Sequence, residues 1–151
     1  MLRKHDGSYD LCIIGCGAAG FAAAMRALDF GKQVCILENG EIGGAGVKWG
    51  ALASKTLWEL SKDFAIASKK DRGYRARDLA PDYPTVRSTV LQAVKEKQDQ
   101  MRTQIESFAP NRWEGPGTLT YKNGMGAFTA QKRLEISGVD GRKEELSLIH
   151  I

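Results

Sequence analysis

The chain has 151 residues, of which 42% are hydrophobic and 26% charged, with a formal net charge of +4. That length allows one domain with a real core, and the composition is that of an ordinary globular protein, not a disordered or collagen-like one. The charge excess is scattered, and its one cluster (Lys69, Lys70, Arg72, Arg75, Arg77) has no basic face or aromatic platform beside it, so no nucleic-acid partner is expected.

In chain order, the opening MLRKHDGS is too short and polar for a signal peptide, and too acidic and brief for a transit peptide. YDLCIIG (Tyr9–Gly15) is a continuous apolar run ending in glycine, which predicts a strand buried on both faces. AAGFAAAMRALDFG follows as an alanine-rich helix, stopped by Gly31 at the position after its C-cap. KQVCILE is a second buried strand, so the first part of the chain predicts a βαβ unit with parallel strands.

A glycine-rich loop, 39–46, leads to a helix over WGALASKTLWELSKDFAIASKK, with Leu52, Thr56, Leu60, Phe64 and Ala67 on one stripe. RGYRARDLAPDYP is a loop. A long amphipathic helix follows over 85–108, with Val86, Val90, Val94, Met101, Ile105 and Phe108 at helical spacing, interrupted by Lys97. That stripe predicts packing against the preceding helix. From Ala109 to Leu146, short apolar runs alternate with glycine-containing turns, which predicts a small β-meander. No stretch reaches about 18 consecutive apolar residues, so no membrane span is expected.

Cys12, Cys16 and Cys35 are odd in number and contain no CxxC pair. A disulfide framework and a metal site are therefore not expected, and free thiols in apolar runs suit a reducing cytoplasm. The last residues, LSLIHI (Leu146–Ile151), equal one reading frame of the transposon end sequence used in preparing sequencing libraries. They are expected to be a non-native tail on a truncated gene fragment.

GCGAAG is GxGxxG, with Gly15, Gly17 and Gly20. The motif is weak alone, but here a strand precedes it, a helix follows it, and Glu38 ends the next strand. Gly15 permits the tight turn, and Gly17 lets the backbone approach a pyrophosphate. Gly20 lets helix and strand pack closely, helped by Ala22, Ala23 and Ala27. The amides of Ala18 and Ala19 open the helix, where N–H groups and the helix dipole favour phosphate oxygens. Glu38, with Asn39 beside it, is placed to accept from ribose hydroxyls and to repel a 2′-phosphate.

These segments resemble the pyridine nucleotide–disulfide oxidoreductases, the dihydrolipoamide dehydrogenase and mercuric reductase group. The resemblance is carried by YDLCIIGCGAAGFAAAMRALDFGKQVCILE, IGGAGVKWGALASK and GPGTLT (Gly115–Thr120). It implies a Rossmann-like FAD-binding α/β domain over 1–145, with a parallel sheet, a helical pair and the meander. It also implies that NAD(P)-binding and dimerisation domains lie downstream, and that the full-length protein is a homodimer. The family pattern after the βαβ unit is GGTCxNxGCxPSK. Gly43, Gly44, Gly50, Ser54 and Lys55 keep it, while Gly46, Ala51 and Ala53 stand where the family has Cys, Cys and Pro.

Exchange with a disulfide requires a sulfur nucleophile, and positions 46 and 51 have none. The resemblance then implies that Gly43, Gly44 and Ala45 approach the FAD phosphates and that Gly50, Gly115 and Gly117 also line the cofactor. Lys55 matches the family lysine beside flavin N5, the one catalytic residue expected here. Trp49 before Gly50 also looks like the soluble transhydrogenase branch, which leaves it either near the flavin ring or in the core. The implied activity is hydride transfer between a nicotinamide cofactor and flavin without a redox disulfide. The alternatives are pyridine nucleotide transhydrogenation and a non-catalytic flavin-binding module.

Overall fold

Residue chemistry along β3 explains the layering. In a computed structural model that describes residues 8–73, 77–130, 133–138 and 141–148, this strand runs Gln33–Glu38 and its middle four residues are all buried. Val34 and Ile36 point into one apolar cluster with Ala24, Leu28, Val94, Met101, Ile105 and Leu119. Cys35 and Leu37 point into another with Tyr9, Leu134, Ile136 and Leu146. Period-two alternation therefore feeds two cores from one strand. Ile36, Leu37 and Leu119 are among the most completely buried large side chains, each worth about 1.5–3 kcal/mol.

The parallel sheet has the order β2–β3–β4, with β2 at Leu11–Ile14 and β4 at Thr118–Asn123. Helices α1 (Ala18–Asp29) and α3 (Tyr83–Ser107) cover one face, and α2 (Ala51–Ala67) packs on α3. The other face is covered by a second sheet in the order β1–β7–β6–β5, with β1 at Ser8–Tyr9, β5 at Met125–Ala130, β6 at Arg133–Ser137 and β7 at Lys143–Leu148. The α/β class, the parallel sheet, the helical pair and the meander are all present. Arg75 and residues 1–7 and 149–151 lie outside the described residues. Strand β7 runs through the boundary expected at 145.

Four details differ from the sequence expectations. First, YDLCIIG is two strands. Its first part joins β7, and the chain changes sheets at Asp10, whose carboxylate accepts from the Gln33 amide at 2.8 Å. Second, β2 is an edge strand here, so Leu11 and Ile14 are exposed instead of buried on both faces. Third, β4 pairs parallel with β3 and is not part of the meander, which is β5–β6–β7. Fourth, α1 packs through Ala24 and Leu28, which continue the stripe begun by Gly20, whereas Ala22 and Ala23 face outward. The helix stops as expected. Gly31, at φ +68, donates to Leu28 at 2.8 Å and Lys32 to Ala27 at 3.1 Å, the two bonds of a Schellman ending.

The α3 stripe is buried where it meets the sheet, at Val94, Met101 and Ile105, and half-buried at Val86, Val90 and Phe108. Helix α2 buries no residue completely. Its stripe Leu52, Thr56, Leu60 and Ala67 is half-buried while Phe64 is exposed. No helix among the described residues is long and apolar enough to cross a membrane. No group of three or more His, Cys, Asp or Glu among them could hold a metal ion.

Candidate functional site: a dinucleotide cradle

Three strand ends meet at the carboxyl edge of the parallel sheet, and each ends in a residue chosen for backbone shape or charge. After β2, Gly15 turns at φ +99, a conformation that favours glycine, and its amide donates to Leu37 at 2.7 Å. Gly17 caps α1 without a side-chain hydrogen bond, and no acid sits in the first turn. The amide ends of Ala18 and Ala19, both exposed, therefore lie at an uncapped positive helix end. Gly20 is fixed by contact, because a Cβ there would lie 2.1 Å from the Gly15 carbonyl oxygen.

After β3, the Glu38 carboxylate is held by backbone. One oxygen accepts from the Cys16 amide at 2.7 Å and the other from the Gly40 amide at 2.9 Å. The acid is thereby anchored over the glycine turn, with exposed Asn39 beside it. Cys16 is fully buried, and burial together with the Glu38 charge pushes its thiol up to about 11. Burial and the neighbouring charge therefore both disfavour a thiolate at Cys16, although it lies close to the start of α1.

The second glycine loop joins the first, backbone to backbone. Gly43 donates to Cys16 at 2.8 Å, and Gly17 and Gly43 form a parallel bridge. Gly44 turns at φ +54, and a Cβ on it would meet the Gly17 Cα at 3.0 Å. Such a close approach leaves little room for a side chain at Gly44. Ile42 and Val47 anchor the loop in the core, and Gln98 of α3 donates to the Ile42 carbonyl at 2.8 Å. Lys48 pairs with Glu41 at 3.0 Å, and this hydrogen-bonded contact holds the Glu41 carboxyl below its ordinary range.

Residues Ala45–Trp49 form a π-helical turn, not a loop, before α2 begins at Ala51. Such turns are rare and concentrate at functional sites. A Cβ on Gly46 would lie 3.6 Å from the Ala18 methyl group, and one on Gly50 would press on the Ala45 carbonyl oxygen at 2.8 Å. Trp49 is 75% exposed with the Lys48 ammonium 4.5 Å from its ring centroid, so it is not a core residue. Lys55 is exposed on the first turns of α2 and has no ion pair among the described residues.

Gly15, Gly17, Ala18, Ala19, Gly20, Glu38, Asn39, Gly43, Gly44 and Ala45 are thus brought together, with Gly50 and Lys55 just beyond the π-helical turn. Gly115 and Gly117 are not. They precede β4, whose first residue Thr118 is the register partner of Gln33, at the opposite end of the sheet. Gly117 there backs onto the Leu28 and Lys32 carbonyls, and Gly115 sits under the Trp113 ring, so both serve packing around the end of α1. The glycine pair that does reach the carboxyl edge is Gly124 and Gly126. Gly124 donates to the Glu38 carbonyl at 3.0 Å, and Gly126 lies against Leu37 and Ile14. The signal was in the sequence, since NGMG follows the strand TLTYKN just as the fingerprint follows β2.

A glycine turn, an uncapped helix end and a strand-end acid, all at the carboxyl edge of a parallel sheet, define a dinucleotide-binding α/β domain. The family comparison narrows this class. The model for the pyridine nucleotide-disulphide oxidoreductases matches residues 9–147. The chain belongs to this family. It is 30% identical over 145 residues to the mitochondrial dihydrolipoyl dehydrogenase of Schizosaccharomyces pombe, covering 93% of the chain and 26% of that relative. It is 40% identical over 88 residues to the mercuric reductase of Streptomyces lividans, covering 57% of the chain and 18% of that enzyme. With the dihydrolipoyl dehydrogenase of Chlorobaculum parvum it shares 22% identity over 150 residues, 99% of the chain and 30% of the relative. The chain therefore spans less than a third of the length of each.

Proposed function

We propose that the chain is the FAD-binding part of a flavin- and nicotinamide-dependent oxidoreductase that works without a redox disulfide. One observation supports this most: the fused cradle of Gly15–Gly20 and Gly43–Gly44, with Glu38 fixed at its edge. The cradle fits a dinucleotide. A Cβ built on Gly15 meets nothing within 4 Å, and one on Gly17 meets the Gly44 Cα alone, at 3.9 Å. Both glycines therefore front open space, and side chains there would fill it. A plain NAD domain has no need of the second glycine loop.

When bound, FAD supplies two-electron chemistry, accepting hydride from a reduced nicotinamide and passing electrons to an acceptor. The chain's own residues bind and orient it. The amides of Gly17, Ala18 and Ala19 receive the pyrophosphate at the helix end. Glu38 accepts from ribose hydroxyls, and the Gly124 backbone flanks it. Lys55 places a cation where charge develops on the reduced ring. The nicotinamide cofactor binds in a part of the protein outside this chain, and the full-length protein acts as a homodimer in the cytoplasm. The absorption spectrum of the purified full-length protein tests the cofactor. A flavin spectrum is expected, and a colourless protein that binds NADH at this cradle overturns the reading.

The π-helical turn gives a second test. Positions 46 and 51 are five apart, the hydrogen-bonding period of that turn. They stand where the family pattern has its cysteines. Gly46→Cys combined with Ala51→Cys is expected to form a disulfide on oxidation. On two-electron reduction it should give a long-wavelength charge-transfer band, because the α2 N-terminus favours a thiolate at 51. The parent protein should show neither the band nor dithiol–disulfide activity. A double variant with no bridge and no band removes the placement of Lys55 beside the flavin.

A further inference from the structure

The strand pair that carries the fingerprint also holds two of the three cysteines side by side. Cys12 of β2 and Cys35 of β3 are register partners. Adjacent strands run about 4.8 Å apart, inside the Cα separation of roughly 4.4–6.8 Å that a disulfide accepts. Both thiols face the core under the meander, Cys35 fully buried and Cys12 half-buried against the same cluster. They are hydrogen-bonded to each other. Cys16 is not part of the pair, since it packs in the core on the helical face.

The two sulfurs are chemically unequal. The bond from Cys35, with help from the nearby Lys122 ammonium, holds the Cys12 thiol below its ordinary range. That same contact and deep burial push Cys35 far up. Lys122 is itself paired with Glu144 of β7, and the Tyr9 hydroxyl, bonded to Thr120, closes the group. The accessible sulfur is thus the readier nucleophile, and the buried one waits within reach.

We propose that Cys12 and Cys35 form a peroxide-oxidisable dithiol that closes to a disulfide between β2 and β3. The Cys12 thiolate attacks one peroxide oxygen, the O–O bond breaks, and the leaving hydroxide or alkoxide takes a proton. This gives a sulfenic acid on Cys12. The Cys35 sulfur then attacks the Cys12 sulfur, its proton leaves with the hydroxyl as water, and the S–S bond forms. Two thiols and one hydrogen peroxide become one disulfide and two waters. Cys12 lies three residues before Gly15 and Cys35 three before Glu38, so the bridge pins together the strands that present the turn and the acid. The site is independent of the loop that lacks cysteines.

Reduced full-length protein treated with one equivalent of hydrogen peroxide, alkylated, digested with trypsin without reductant and mapped by mass spectrometry provides the test. The peptide ending at Arg26 should be joined to Gln33–Lys48, with Cys16 alkylated. The Cys16→Ser protein should give the same link. Cys35→Ser should halt at a sulfenic acid on Cys12 that dimedone captures. Peptides that stay unlinked with Cys12 and Cys35 both alkylated, or a link that runs through Cys16, overturn the proposal. The mapping needs only the parent protein, so a variant that folds poorly does not rescue it.

Discussion

Gly20→Ala is expected to destabilise the domain strongly, whereas Gly17→Ala keeps its stability and loses the cofactor. A Cβ at Gly20 would lie 2.1 Å from the Gly15 carbonyl oxygen and 3.1 Å from the Ile13 side chain. Gly15 cannot retreat, because its amide is bonded to Leu37 of the buried strand. Relief requires α1 to lift from the sheet, which opens the core around Ala24 and Leu28. The cost is at or above the upper end of overpacking, about 3 kcal/mol, out of a total stability of roughly 5–15 kcal/mol. At Gly17 the same methyl group meets only the Gly44 Cα at 3.9 Å. Stability should change there by no more than about 1 kcal/mol, the cost of a poorer helix cap, while the methyl group occupies the phosphate path. Thermal melts and flavin content of the two full-length variants check both halves. A Gly20→Ala protein that melts with the parent shows that helix and strand are not in this contact.

Glu38→Ala should reduce both stability and flavin retention. Its carboxylate is the side-chain partner of the buried Cys16 amide and of the Gly40 amide. Losing an acceptor for a buried donor costs about 1–3 kcal/mol, and unpaired ribose contacts cost a similar amount in binding. That is roughly a tenfold to hundredfold weaker hold on FAD, since about 1.4 kcal/mol is one decade. Glu38→Gln keeps one acceptor oxygen and should fall between. Flavin content after dialysis reads the ribose contact, and the denaturation midpoint reads the amide contacts. Equal flavin content in parent and Glu38→Ala removes the ribose role, and an unchanged midpoint removes the structural one.

The βαβ unit and its acid were legible because three local signals agree: an apolar run, a glycine spacing, and a helix stop at Gly31. Each needs only neighbours in sequence. The pairing of β4 was not legible in this way, since TLTYKN reads as a strand without saying which sheet takes it. That ambiguity misplaced the third glycine pair. GPG precedes the strand and GMG follows it, and only strand direction says which reaches the carboxyl edge, where ligands of such sheets bind. Ile14 was read as buried because the run is continuous, but an edge position leaves it 49% exposed. The π-helical turn was hidden as well, since five residues carry too little periodicity to tell its winding from that of the helix that follows.

That turn has a consequence for Lys55, the lysine proposed to face the flavin. A π-turn amounts to one surplus residue wound into a helix. That winding stops at Gly50, whose non-helical backbone (φ −136, ψ −93) separates the turn from α2. The direction in which α2 leaves is therefore set at one glycine, where a Cβ would press on the Ala45 carbonyl oxygen. The aim of the Lys55 ammonium depends on that joint, and a lineage can redirect it at Gly50 without ever substituting the lysine.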